Sequence, residues 1–194
     1  MTLDEIVPKL RKYITLFSAA FERGVALSGK EKNLPHIIAL FPEVAMEVEN
    51  LYYLFLPVAV QIEKDEIRKG VIAFEISDTR LRIESIPFDP QRLKSVIEGD
   101  RAKEFLLEVL KASHEIYDAD YSIYKSGDKR LLVVENDMLV QYITYDELEE
   151  ELYGVIIGVI ELYKRLKAKG FEPKLSEREV EKIKEEIDRL PFFG

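Results

Sequence analysis

The sequence predicts an α+β fold: an antiparallel sheet with helices packed mainly on one face, and an additional C-terminal helix. Three observations predict it. In residues 80–86, Leu81 and Ile83 alternate with Arg82 and Glu84, the period-two pattern of a strand with one apolar and one wet face. Residues 58–62 and 71–76 are β-branched runs of strand length. Helical patterns stand before, between and after these runs without a βαβ rhythm, which disfavours a doubly wound nucleotide-binding sheet. Residues 1–170 are expected to form a single α+β domain, with 171–194 a C-terminal helical extension packed on it.

Each element has its own local signal. Ile6, Leu10, Tyr13, Ile14, Phe17, Ala20 and Phe21 recur at helical spacing, and Gly24 offers a stop. Thr2 and Glu5 fit a capping box, while Pro8 suits a first helical residue, so two starts are open. Residues 25–35 read as loop. Residues 36–57 fit two patterns: Val44, Met46 and Val48 alternate as in a strand, whereas Val44, Val48, Leu51 and Phe55 keep helical spacing. The strand is preferred. A charged connection at 63–70 joins the two β-branched runs, and Ser77-Asp78-Thr79 turns the chain into 80–86. Asp89 followed by Pro90 starts a helix with Leu93, Val96 and Ile97 on one face. Glu98-Gly99-Asp100 interrupts it, and Asp100 caps a second piece carrying Phe105, Leu106, Val109, Leu110 and Ile116. Short strands are expected at 121–125, 131–135 and 139–143, with turns at 126–128 and at Asn136-Asp137. Thr144 and Glu147 make a capping box, stapled by Ile143 and Leu148, for a helix that stops at Gly170. Ser176 and Glu179 cap a last helix whose stripe is Val180, Ile183, Ile187 and Leu190, and Pro191 ends it.

Composition narrows the function classes. A chain of 194 residues buries about 70% of its unfolded surface and can build a core without a metal or disulfide. Its charged fraction of 34% exceeds the usual ~25%, chiefly through Glu and Lys, a bias expected of a thermophile. No cysteine is present, which excludes disulfides, thiolate catalysis, iron–sulfur clusters and thiolate zinc sites. A net charge of −9 with no basic stripe speaks against nucleic acid as a partner. Asp4, Glu5, Lys9, Arg11 and Lys12 leave no signal-peptide core at the start. The longest apolar stretch, around 155–160, is too short to span a bilayer. A cytoplasmic chain with no membrane partner is expected.

Linear motifs stop short of chemistry. Residues 24–31 copy a phosphate-binding loop until the last position, where Glu31 replaces the Ser or Thr that must hold magnesium. That loop also follows a helix instead of a strand, so it reads as a C-cap glycine and a surface loop. His114 and Asp118, four apart, resemble part of a zinc-protease helix, but a third ligand is lacking and a helix-end histidine is the simpler reading. Runs such as Glu149-Glu150-Glu151 read as solvated helix faces. No catalytic residue and no cofactor are assigned.

The helix from Thr144 to Gly170 departs from a surface pattern. Leu148, Leu152, Val155, Ile156, Val159, Tyr163 and Leu166 form one stripe, and Tyr153, Ile157 and Ile160 extend it to other sides. Gly154 and Gly158 each cost about 1 kcal/mol relative to Ala, which implies close approach by another element. Two readings stay open: a helix sandwiched within its own chain, or one shared with a partner through Tyr153, Gly154, Ile157, Gly158 and Ile160. Tyr117, Tyr121, Tyr124, Tyr142, Tyr145 and Tyr153 fit either sheet packing or an interface.

Residues 121–166 bring a strand, a Gly-Asp turn, Leu131-Leu132-Val133-Val134, another strand and Tyr145-Asp146-Glu147-Leu148 into a long helix. With the meander of 58–88 and the helix from Pro90, this layout resembles the type III secretion chaperone-like proteins and their bacterial sensory-regulator relatives. The resemblance covers 1–169. It implies small acidic dimers that bind other proteins and carry no catalytic residues. The expected function is a non-enzymatic, adaptor- or chaperone-like interaction module, homodimeric and able to bind another protein. The competing expectation is a small-molecule-binding protein or enzyme whose site no linear motif reveals.

Overall fold

The computed structural model describes residues 2–22, 37–40, 44–48, 51–63, 66–116 and 119–171. The loop-like motif at 24–31 and the last helix expected at 176–190 lie outside them. Of the C-terminal extension, only Phe171 is described.

Helix α1 (Leu3–Glu22) starts at the earlier of the two expected places and carries Pro8 in its second turn. Glu5 Oε2 accepts from the Thr2 N–H at 2.9 Å, the half of the capping box that closes the N-terminus. Ile6, Leu10, Ile14 and Phe17 are buried, which is the predicted stripe.

Seven antiparallel strands follow in one sheet: β1 (Ile37–Leu40), β2 (Val44–Val48), β3 (Leu51–Glu63), β4 (Glu66–Ile76), β5 (Arg80–Ser85), β6 (Asp120–Ser126) and β7 (Lys129–Leu139). Their order is β1-β3-β4-β5-β7-β6, and β2 shares with β1 the outer edge of the long β3. The strand reading of 36–57 therefore holds. Two expectations change. The charged connection at 63–70 is mostly strand, because β3 and β4 stay paired as far as Glu63 and Glu66. The turn at Asn136-Asp137 is absent, and β7 runs through it to Leu139, followed by a 3-10 turn at Val140–Tyr142. Tertiary contacts override the turn propensity there: Asn136 Nδ2 donates to the Glu151 carbonyl at 3.1 Å, while Asp137 pairs with Arg80 and Arg82.

Pairing places Leu54, Phe74 and Ile83 in one row and Leu56 and Ile72 in the next, all on one face and all buried. On that face α4 (Tyr145–Ala168) lies against β5 and β7, with α1 on one side of it and α3 (Ala102–Glu115) on the other. Helix α2 (Pro90–Ile97) abuts β7 and α3, its first turn capped by Asp89 Oδ1 accepting from the Arg92 N–H at 2.6 Å. The fold is thus α+β, with helices mainly on one face of an antiparallel sheet.

Helix α4 is bounded by the chemistry its sequence announces. Thr144 Oγ1 accepts from the Glu147 N–H at 3.2 Å, and Glu147 Oε2 accepts from the Thr144 N–H at 3.0 Å. At the other end Gly170 takes φ 73°, with Gly170 N–H bonded to the Lys167 carbonyl and Phe171 N–H to the Leu166 carbonyl. Phe171 then packs its ring 5.3 Å from that of Phe105 and 4.1 Å from the Arg101 guanidinium, tying the end of α4 to the start of α3.

Candidate functional site

The five positions expected to meet a partner on α4 are not brought together. Tyr153 turns to α1, its ring 5.4 Å from that of Phe17. Gly158 turns to the sheet, where a Cβ would stand 2.8 Å from both Ala119 Cβ and Val134 Cγ1. Tyr121 Oη donates to the Gly158 carbonyl at 3.1 Å, so the missing side chain is what lets the tyrosine reach α4. Gly154 and Ile160 are buried, and Ile157 is half-buried. This single chain covers most of α4 by itself, so the helix's oiliness no longer calls for an outside cover.

One group on α4 is out of keeping with its surroundings. Glu149 is 4% exposed and has no hydrogen bond among the described residues. Burial, with Asp146 adding to it, raises its pKa above the usual carboxylate range. It lies among Tyr145 and Tyr153 one turn away on either side, and the buried Tyr145 hydroxyl also lacks a partner. Burial is the first cause that raises both tyrosine pKa values, and Glu149 adds to each.

The wet face of the sheet carries an ionic cluster. One row across it runs Tyr53, Glu75, Arg82, Asp137, and the next runs Phe55, Ala73, Glu84, Glu135, Asp120. Arg82 Nε stands 3.3 Å from Asp137 and 3.4 Å from Glu135, and Nη1 stands 3.8 Å from Glu75. Burial works against the Arg82 charge, but Asp137, Glu135 and Glu75 outweigh it and raise its pKa. Tyr53 Oη donates to Glu75 at 2.9 Å, and Tyr124 Oη to Glu135 at 2.6 Å. Burial and the bond to Glu75 push the Tyr53 phenol up to about 12. Glu84 faces Glu135 directly across the ladder, and burial, then Glu75, raises its pKa. Arg82 is committed to its neighbours, and no nucleophile stands beside a base here. The cluster orders the face more plainly than it performs chemistry.

The feature that pattern reading missed is on α3. Its buried side chains are Phe105, Glu108, Val109 and Ala112. Leu106, Leu107 and Leu110 face solvent at 42%, 49% and 58% exposure. Leu106 and Leu110 were expected in the core stripe, and the helix starts one residue after the expected Asp100 cap, with Arg101 at the N-cap and no side-chain cap bond. Three leucines at i, i+1 and i+4 form one ridge. Other exposed large apolar groups are more scattered: Leu16 on α1, and Leu139 and Tyr142 around the end of β7. Beside the ridge lies β6, where Ile123 and Tyr124 are also exposed. The signal was in the sequence as leucines at 106 and 107, which no single helical stripe can bury with 110.

His114 sits exposed in the last turn of α3, and Asp118 lies outside the described residues. Among the described residues, no group of three or more His, Asp or Glu is arranged to hold a metal ion, and no helix is long and apolar enough to cross a membrane.

No family model matches the chain, and no curated protein matches it. Among solved structures, the chain is similar to an uncharacterized protein from Methanothermobacter thermautotrophicus, at 14% identity and a TM-score of 0.45, over 67% of this chain and 88% of that one.

Proposed function

We propose that this chain is a non-enzymatic protein-interaction module, adaptor- or chaperone-like, which docks a protein on the surface formed by α3 and β6. The carrying observation is the ridge of Leu106, Leu107 and Leu110, held in water on a helix whose other side is anchored by Phe105, Val109 and Ala112. Covering what remains exposed of three leucines contributes on the order of 3 kcal/mol, enough to matter in a specific interface. Lys103, Lys111 and His114 surround the ridge with a polar rim.

The test compares immobilised wild-type chain with Leu106→Glu/Leu110→Glu, using cross-linking mass spectrometry to map where a captured protein sits. Cross-links at α3 and capture lost in the variant support the reading. A wild-type chain that stays monomeric and captures nothing overturns it. A second reading, a small-molecule binder, draws on the Tyr53, Phe55 and Glu84 surface beside the Arg82 cluster. A saturable rise in melting temperature with a metabolite, lost in Glu84→Gln, would favour it.

A further inference from the structure

Resting on the reading of α3 and β6 as a docking surface, we infer that its occupant is a second copy of this chain. The two copies pair antiparallel along β6 about a twofold axis through Ile123, with their α3 helices packed beside each other below the joined sheets.

The two edges of the sheet differ in how they resist such pairing. The β3 edge is covered by two short strands, and β1 carries a register irregularity between Ile37 and Ala39. Both are devices that blunt an edge. Strand β6 ends the order at the other side, and no described strand lies beyond it. It is seven residues long, pairs with β7 without a bulge, and contains no proline. Its outward backbone groups are a template for another strand.

A strand that pairs with itself across a twofold axis is antiparallel, and directly opposed residues share a face. The axis therefore passes through a residue. Ile123 is the middle of Asp120–Ser126, so an axis there uses the whole strand. It sets Tyr121 opposite Lys125 of the second copy, Ser122 opposite Tyr124, and Ile123 opposite itself. No like charges oppose each other. An axis through Lys125 shortens the ladder and sets lysine against lysine.

The same axis stands perpendicular to the sheet, so the helix-bearing faces of both copies lie on one side. Since α3 packs beside β6, the two α3 helices meet, and the axis makes them antiparallel. Aligning Leu107 with Leu110 of the second copy buries both ridges together. It also brings Lys103, exposed and without an ion pair among the described residues, beside His114 and Glu115 of the second copy. The charges at the two ends of α3 are thereby complementary, and every contact occurs twice.

The absence of cysteine makes this arrangement directly testable. Two Ile123→Cys residues on the axis would have Cα atoms about 4.5–5.5 Å apart, within the range a disulfide spans. Mild oxidation of Ile123→Cys at tens of micromolar should cross-link most of the protein. Asp78→Cys, in the exposed turn before β5, should cross-link about tenfold less, and adding Leu110→Glu to Ile123→Cys should reduce cross-linking about tenfold. An equimolar mixture of Ser122→Cys and Tyr124→Cys chains should also cross-link, which guards against misfolding of any one variant. A dimer by light scattering that yields none of these cross-links overturns the inference and leaves the docking reading standing. A monomer that captures another protein through α3 does the same. A monomer that captures nothing removes both.

Discussion

Helices α3 and α4 carry similar amounts of oil and put it to opposite uses. Helix α4 is apolar on several sides, yet the sheet, α1 and α3 cover nearly all of it. Helix α3 reads as an ordinary amphipathic helix, yet three of its leucines remain in water. The difference teaches that a widely hydrophobic helix marks the centre of a layer. An interaction surface is marked instead by apolar groups that the chain's own geometry cannot reach. Phe105, Val109 and Ala112 fix the buried side of α3, and helical geometry then forces Leu106, Leu107 and Leu110 outward.

Substitutions on the two helices should separate these roles. The largest effect is expected at Gly158, where Val places a branched side chain against Ala119, Val134 and Tyr121. Overpacking that contact should cost about 3 kcal/mol or more in urea unfolding, despite the gain in helix propensity over glycine. Leu152→Ala, in a fully buried position of the same helix, should cost about 2–5 kcal/mol with no change in association that loss of fold does not explain.

A smaller effect of opposite sign is expected at Glu149. Its folded pKa is raised above the unfolded value, so the folded state holds the proton more tightly. The stability this contributes is present at acid pH, below the ordinary carboxylate pKa, and is lost as pH rises through the raised value. Glu149→Gln should therefore stabilise the fold at pH 7 by about 1 kcal/mol and give little or nothing at pH 4. Urea unfolding at the two pH values reads this directly. The smallest stability effect belongs to α3, where Leu110→Glu should change unfolding by no more than about 0.5 kcal/mol. A large destabilisation there would show Leu110 to be core and erase the contrast between the helices.

Local chemistry was legible in the sequence wherever it was self-contained. The capping box at Thr144 and Glu147, the stop at Gly170 and the Asp89-Pro90 start needed only their neighbours to form. The alternation at Leu81, Arg82, Ile83 and Glu84 likewise disclosed a wet face, because pleating alone sets that period. What escaped depended on distant residues. Asn136-Asp137 looks like a turn until β5 pairs beside it and α4 accepts the Asn136 amide. The face of α3 that is buried depends on where Phe88 and Phe171 meet Phe105, which no local pattern encodes. Gly158 signalled close approach, but only the structure names Tyr121 and Val134 as the groups that approach.

The contrast between the helices is tested most directly by sedimentation velocity of the wild-type chain beside Leu110→Glu at tens of micromolar. The wild type should sediment at about twice the 22.5 kDa of one chain, and the variant as a single chain with its melting temperature within about 2 °C of the wild type's. A variant that remains dimeric, or a wild type that is monomeric throughout, would contradict the assignment of self-association to the exposed ridge of α3.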